Sequence, residues 1–134
     1  QALQERGYQA LAVDVGHDLA QVLECEKIEA AFVALHGRYG EDGCVQGLLE
    51  LMQIPYSGSG VLASALAMHK LYSKQTFGAC GILTAPFCSF RRGETVSLQG
   101  LPFGLPVVVK PVQEGSSVGV SIVRQETDLA AAVA

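Results

Sequence analysis

Charge is scarce in this sequence. Aspartate, glutamate, lysine and arginine make up 16% of its 134 residues, against roughly a quarter in ordinary globular domains. Hydrophobic residues make up 49%, enough apolar surface to offset ordering entropy, which excludes a disordered chain. Long apolar runs are missing as well: none approaches the ~18 residues that a membrane span needs. Residues 1–7 include Glu5 and Arg6 and lack an apolar signal core, so nothing points to secretion. Cysteine is sparse and scattered. Cys25, Cys44, Cys80 and Cys88 form no Cys-x-x-Cys pair, which argues against a zinc site or a disulfide framework and suits a reducing cytosol. The net charge of −4 argues against general nucleic-acid binding.

Acids are missing from one long stretch. Between Leu51 and Gln113 the only acid is Glu94, while Lys70, Lys74, Arg91, Arg92 and Lys110 all fall there. A local balance of +4 sits inside a chain of −4. That is the distribution an anionic ligand site needs, and equally that of a solvated basic face.

The length allows one domain, or one and a half. Residues 1–6 read as the last turns of a helix, with Gly7 at the left-handed stop position. Tyr8–Val15 reads as a strand. Thr127 and Asp128 read as the N-cap and first acidic position of a helix that runs to Ala134 without a stop. The chain thus reads as an internal piece of a longer protein. Between its ends, strand and helix alternate. Helices are expected at Asp18–Cys25, Cys44–Met52, Val61–Leu66 and His69–Phe77. The near-continuous apolar run Ala30–Leu35 reads as a central strand of a mostly parallel sheet, buried on both faces. Short strands are expected at Ile82–Thr84, Phe87–Phe90, Thr95–Leu98, Val107–Lys110 and Val120–Val123. The first half is α/β and the second α+β, with a boundary near Gly58–Val61.

Three segments are candidates for chemistry. The first, His36–Gly43, follows a strand and opens a helix, the edge where open α/β sheets bind ligands. Its glycines admit close approach, and His36 can exchange a proton near neutral pH. A connector whose polar residues only cap the helix would look the same. The second, Gly58–Ala63, matches the dinucleotide fingerprint G-x-G-x-x-G/A. That fingerprint wants an acid about 20 residues on, where this chain has Gly78 and then no acid before Glu94. A turn between domains is the better reading. The third runs from Leu105 to Val120. A strand ends on Lys110, Pro111 keeps the chain extended, and Glu114–Gly119 forms a small polar loop. Lysine offers phosphate a point charge, and a Gly-Ser-Ser loop offers N–H groups and hydroxyls. An exposed hairpin is the alternative. No P-loop signature G-x-x-x-x-G-K-[ST] occurs. Lys70 and Lys74, four apart on one helical face, either join the same ligand or face water.

In this order the segments Leu35–Gly43, Gln46–Glu50, Ile54–Met68 with Lys70, Val109–Pro111 and Glu114–Gly119 resemble bacterial D-alanine–D-alanine ligases of the ATP-grasp superfamily. The resemblance implies a Rossmann-like pre-ATP-grasp N-terminal domain lacking its first strand, over residues 1–60. Part of an α+β ATP-grasp domain would follow over 61–134. It implies ATP-dependent joining of two D-alanines through an acyl phosphate for peptidoglycan synthesis. D-alanine–D-lactate and D-alanine–D-serine ligases share these motifs, and a non-catalytic nucleotide-binding module is the reading from another class. Lys70, Lys110, Glu114, Gly115, Ser116, Ser117 and Val118 would bind ATP, with Ser116 also in the active-site hydrogen-bond network. His36 and Glu41 would adjoin the first D-alanine. Magnesium ligands and the adenine clamp are expected beyond this segment, so the segment alone should be inactive. A cytoplasmic homodimer without membrane or nucleic-acid partners is expected of the parent enzyme. The family usually has aspartate before its ATP lysine, where this chain has His69.

Overall fold

The computed structural model describes residues 2–133. Helix α1 (Ala2–Glu5) ends where Gly7 turns into left-handed backbone at φ +85°. The Tyr8 N–H closes that turn on the Leu3 carbonyl. Helices α2 (Leu19–Cys25) and α3 (Cys44–Leu51) each bury an i, i+4 pair, Leu19 with Leu23 and Val45 with Leu49. With Ile54 these four form a first core, joined by half-buried Val13, Val33, Leu35 and Tyr56. Helices α4 (Val61–Met68) and α5 (Lys70–Ala79) follow, separated by His69 alone. Strands β1 (Val107–Val109) and β2 (Ser121–Val123) form an antiparallel hairpin with Val107 opposite Val123. Val107, Val123 and Leu129 of the short helix α6 (Leu129–Val133) make a second, separate core.

The helices and the hairpin lie where the sequence places them. Four strands do not. Tyr8–Val15, Ile82–Thr84, Phe87–Phe90 and Thr95–Leu98 carry no ladder among the described residues. Alternation of apolar residues signals one covered face but not a neighbour to pair with. Leu83 is 99% exposed, and Leu98–Gly100 turns into a 3₁₀ helix. Ala30–Leu35 is corrected in a different way. It lies beside Pro55–Ser57 through one parallel bridge, Ala31 to Tyr56. The Ala31 N–H donates to the Pro55 carbonyl, and the Ser57 N–H to that of Ala31. Ala31, Val33 and Leu35 face the core, but Phe32 is 76% exposed. The run is therefore covered on one face, not two. At the far end, residues 126–128 form a 3₁₀ turn. The Thr127 hydroxyl donates to the Asp128 carboxylate.

Candidate functional site

The loop after Leu35 is built around two carboxylates. Glu41 Oε2 accepts the Gly37 N–H at 2.6 Å, and its Oε1 lies 3.9 Å from His36 Nδ1. The His36 side chain is 86% exposed, so the imidazole is open to a ligand. Asp42 accepts from the N–H groups of Tyr39 (2.9 Å) and Cys44 (3.1 Å). Its slight burial opposes the charge, but these hydrogen bonds prevail and hold the carboxyl below its ordinary range. The Cys44 thiol, hydrogen-bonded to Asp42, is pushed up and stays protonated. Gly43 sits at φ +94°, where a Cβ would lie 2.8 Å from the Val61 carbonyl oxygen. Only glycine lets α3 start so close to α4.

Beneath the loop lies a residue to which the sequence reading gives no role. Gln46 is buried, and its Nε2 donates to the Gly40 carbonyl at 2.7 Å. Its position beside Val45 in the first turn of an amphipathic helix was the available signal. A long amide there has no water to turn to and must brace backbone.

Lys70 opens α5, and both of its nitrogens reach the distant loop. Its N–H donates to the Val112 carbonyl at 3.0 Å, and its ammonium to the Glu114 carbonyl. The next residue, Gly115, comes up against Glu41 and Met68. A Cβ built on it would be 3.9 Å from Glu41 Oε2 and from Met68 Cε. Thus Glu41, Lys70 and Glu114–Gly115, spread over more than half of the chain, meet in one place. Ser116 and Ser117 follow in left-handed backbone at φ 48° and 62°, with Val118 and both serines exposed. Lys110 stands exposed just beyond β1.

The two lysines of α5 separate. Lys74 donates to Thr84 Oγ1 (2.8 Å) and the Ala85 carbonyl (2.7 Å), and its ammonium lies 5.1 Å from the centre of the Phe87 ring. It ties the irregular segment after α5 to the helix and leaves Lys70 alone at the loop. Next to Lys70, His69 caps α5: its Nδ1 accepts the Tyr72 N–H at 3.3 Å. A cavity of about 560 Å³ opens there, lined by His69, Tyr72, Arg91, Glu94, Val112 and Gln113 among others. Gly58–Ala63, the fingerprint-like stretch, is a turn into α4, with Gly58 at φ +106° and Gly60 as the N-cap. Among the described residues no three His, Cys, Asp or Glu side chains gather as metal ligands would.

Comparison with known proteins places the chain among relatives. The family described as D-ala D-ala ligase N-terminus matches residues 4–59, and D-ala D-ala ligase C-terminus matches residues 77–134. A D-alanine–D-alanine ligase of Pelobacter propionicus is 76% identical over 99% of this chain and 43% of its own length. That of Trichlorobacter lovleyi is 66% identical over 99% of the chain and 42% of its own. The D-alanine–D-alanine ligase of Bacillus anthracis complexed with ATP superposes with a TM-score of 0.79 at 35% identity, over 95% of this chain and 43% of that one. A second structure of that enzyme gives 0.82 at 38%, over 95% and 42%. The mixed α/β architecture with a small antiparallel sheet is common to them. The chain spans a little over two fifths of the length of these relatives. It belongs to the D-alanine–D-alanine ligase family.

Proposed function

We propose that the chain is the substrate- and phosphate-handling segment of a longer, ATP-dependent D-alanine–D-alanine ligase of peptidoglycan synthesis. The observation that carries this is the meeting of Glu41, Lys70 and Glu114–Gly115, which sets the His36 loop against the Ser116–Ser117 loop. In the reaction, a carboxylate oxygen of one D-alanine attacks the γ-phosphorus of ATP and ADP leaves. The amine of a second D-alanine then attacks the acyl carbon, and phosphate leaves with the amine proton lost to solvent. Both steps crowd negative charge, so fixed cations and N–H donors lower the barrier by positioning and electrostatics.

Within that reaction Lys70 and Lys110 supply charge to the ATP phosphates. Glu114, Gly115, Ser116, Ser117 and Val118 fold over them, with the Ser116 hydroxyl beside the reacting groups. His36 and Glu41 flank the first D-alanine. Magnesium would accompany ATP; among the described residues no three potential ligands gather to hold it, and no metal step is assigned to them. Residues 1–60 form a Rossmann-like unit and 61–134 part of an ATP-grasp unit. Two separate cores, and family matches that break between residues 59 and 77, support that division. No described helix is long and apolar enough to cross a membrane. A cytoplasmic homodimer that binds D-alanine and ATP, not nucleic acid, fits this reading. The names of the relatives favour D-alanine over D-lactate or D-serine as second substrate.

The test is ADP release by the full-length enzyme with ATP and, in turn, D-alanine alone, D-alanine with D-lactate, and D-alanine with D-serine. Dipeptide formation from D-alanine alone is expected. Nucleotide binding without ADP release would replace the ligase by a binding module.

A further inference from the structure

The residue beside Lys70 makes an unusual join. His69 is the single residue between α4 and α5, in extended backbone at φ −98°, ψ 92°. Its N–H ends α4 on the Leu66 carbonyl (3.1 Å), and its carbonyl accepts the Ser73 N–H (2.9 Å) and so begins α5. Ser73 Oγ returns to the same Leu66 carbonyl at 2.6 Å. The imidazole is held on both counts: Nδ1 accepts the Tyr72 N–H, and the ring stacks on Tyr72 with centroids 4.0 Å apart and planes 21° apart. Lys70 comes next, its N–H on Val112 and its ammonium on Glu114. The direction in which Lys70 leaves α4 is therefore set by the cap on His69.

An imidazole caps in one protonation state only. Nδ1 accepts while it carries a lone pair, with the ring proton on Nε2. A second proton turns the acceptor into a donor aimed at an N–H, at the positive end of a helix. Cations outnumber acids among its named neighbours. Lys70 adjoins His69, Lys74 lies one turn on, and Arg91 shares its cavity. Glu94 is the one acid lining that cavity, and its Oε2 already accepts the Arg91 N–H at 3.0 Å. Tyr72 and Gln113 add no charge. Loss of the cap frees the first turn of α5 and with it the hold of Lys70 on residues 112–114.

We infer that His69 is a positioning residue. As a neutral cap it aims Lys70 at the Glu114–Val118 loop, and its protonation makes ATP capture pH-dependent. This rests on the proposed ligase function. The experiment compares wild type, His69→Asn and His69→Ala in the full-length enzyme, measuring KM for ATP and kcat from about pH 5.5 to about pH 8, where histidine changes charge. Asparagine caps without titrating. His69→Ala should raise KM for ATP about fivefold at pH 8, the usual effect of a lost cap, with kcat within about twofold. His69→Asn should restore it. The ATP phosphates titrate alike in every variant. Wild type should therefore lose ATP affinity about threefold to tenfold more steeply than His69→Asn on acidification. Superimposable pH profiles for wild type and His69→Asn, or an unchanged KM in His69→Ala, would overturn the inference alone. A wild type that releases no ADP would overturn the functional reading and this inference together.

Discussion

Replacing Lys70 by methionine keeps the alkyl stem and removes the ammonium. What is lost is the donor to the Glu114 carbonyl and, in the proposed role, the partner of an ATP phosphate oxygen. A charge-assisted hydrogen bond contributes about 1.5–3 kcal/mol. Lys70 is half-buried and its bond to Glu114 is exposed, so the lower end applies, and about 1.4 kcal/mol is tenfold in binding. Lys74→Met is the internal control. It removes two hydrogen bonds and a ring contact that all lie within residues 84–87. Lys74→Met should lower stability by about 1–2 kcal/mol, which is a few degrees of melting temperature, and leave ATP binding alone. Lys70→Met should weaken ATP binding about tenfold and cost stability only its single bond to Glu114, about 0.5–1.5 kcal/mol. Titration calorimetry with a non-hydrolysable ATP analogue and thermal melts on both variants separate the two. Equal weakening of ATP binding in both, or none in Lys70→Met, would refute the division of labour between these lysines.

Other expectations follow from the same geometry. Lys110→Ala should weaken ATP binding by about tenfold or more, because the phosphate loses a charge-assisted partner; calorimetry on the full-length enzyme reads it. The loop Gln113–Gly119 should exchange its amides quickly without nucleotide and slowly with ATP and magnesium, since Glu114, Ser116, Ser117 and Val118 are exposed and only Gly115 is tucked against Glu41. Protection already present without nucleotide would make it a rigid hairpin. Asp42 holds its carboxyl below the ordinary value of 3.8. Its contribution is thus present above that pH and is lost as pH falls through the lowered one. Asp42→Asn should melt at a lower temperature than wild type near neutrality and converge with it in strong acid, a difference that melts across pH will show.

What could be read without coordinates divides along physical lines. Helices α2 to α5 were legible because their hydrogen bonds are local and their caps and apolar spacing lie within a few residues. The β1–β2 hairpin was legible because turn residues separate two short valine-rich runs. Tyr8–Val15 and Ile82–Thr84 were misread because strand pattern says nothing about a partner. Phe32 was misread because an unbroken apolar run does not say which of its faces is covered. At the site, Lys70 and Lys74 are equivalent on a helical wheel, and only the three-dimensional path of residues 84–87 and 112–114 tells them apart. Glu41 was singled out through a family pattern, and its contact with Gly115 spans 74 positions that no local rule connects. The cap on α5 was invisible because histidine is not among the usual capping residues.

The two cores described above never merge. Leu49 anchors one and Val123 the other. Between them, α4 buries only Ser64 and α5 buries nothing. Where the distant loop meets α5 and the first half, the named contacts are two hydrogen bonds from Lys70 to backbone carbonyls and the edge of Gly115 against Glu41, rather than interlocked side chains. Parting such a seam trades each bond for one to water at a net loss of about 0.5–1.5 kcal/mol. A shared apolar face of a few hundred Å² would instead resist by roughly 25 cal/mol for every Å². The seam can therefore part and close again without disruption of either core.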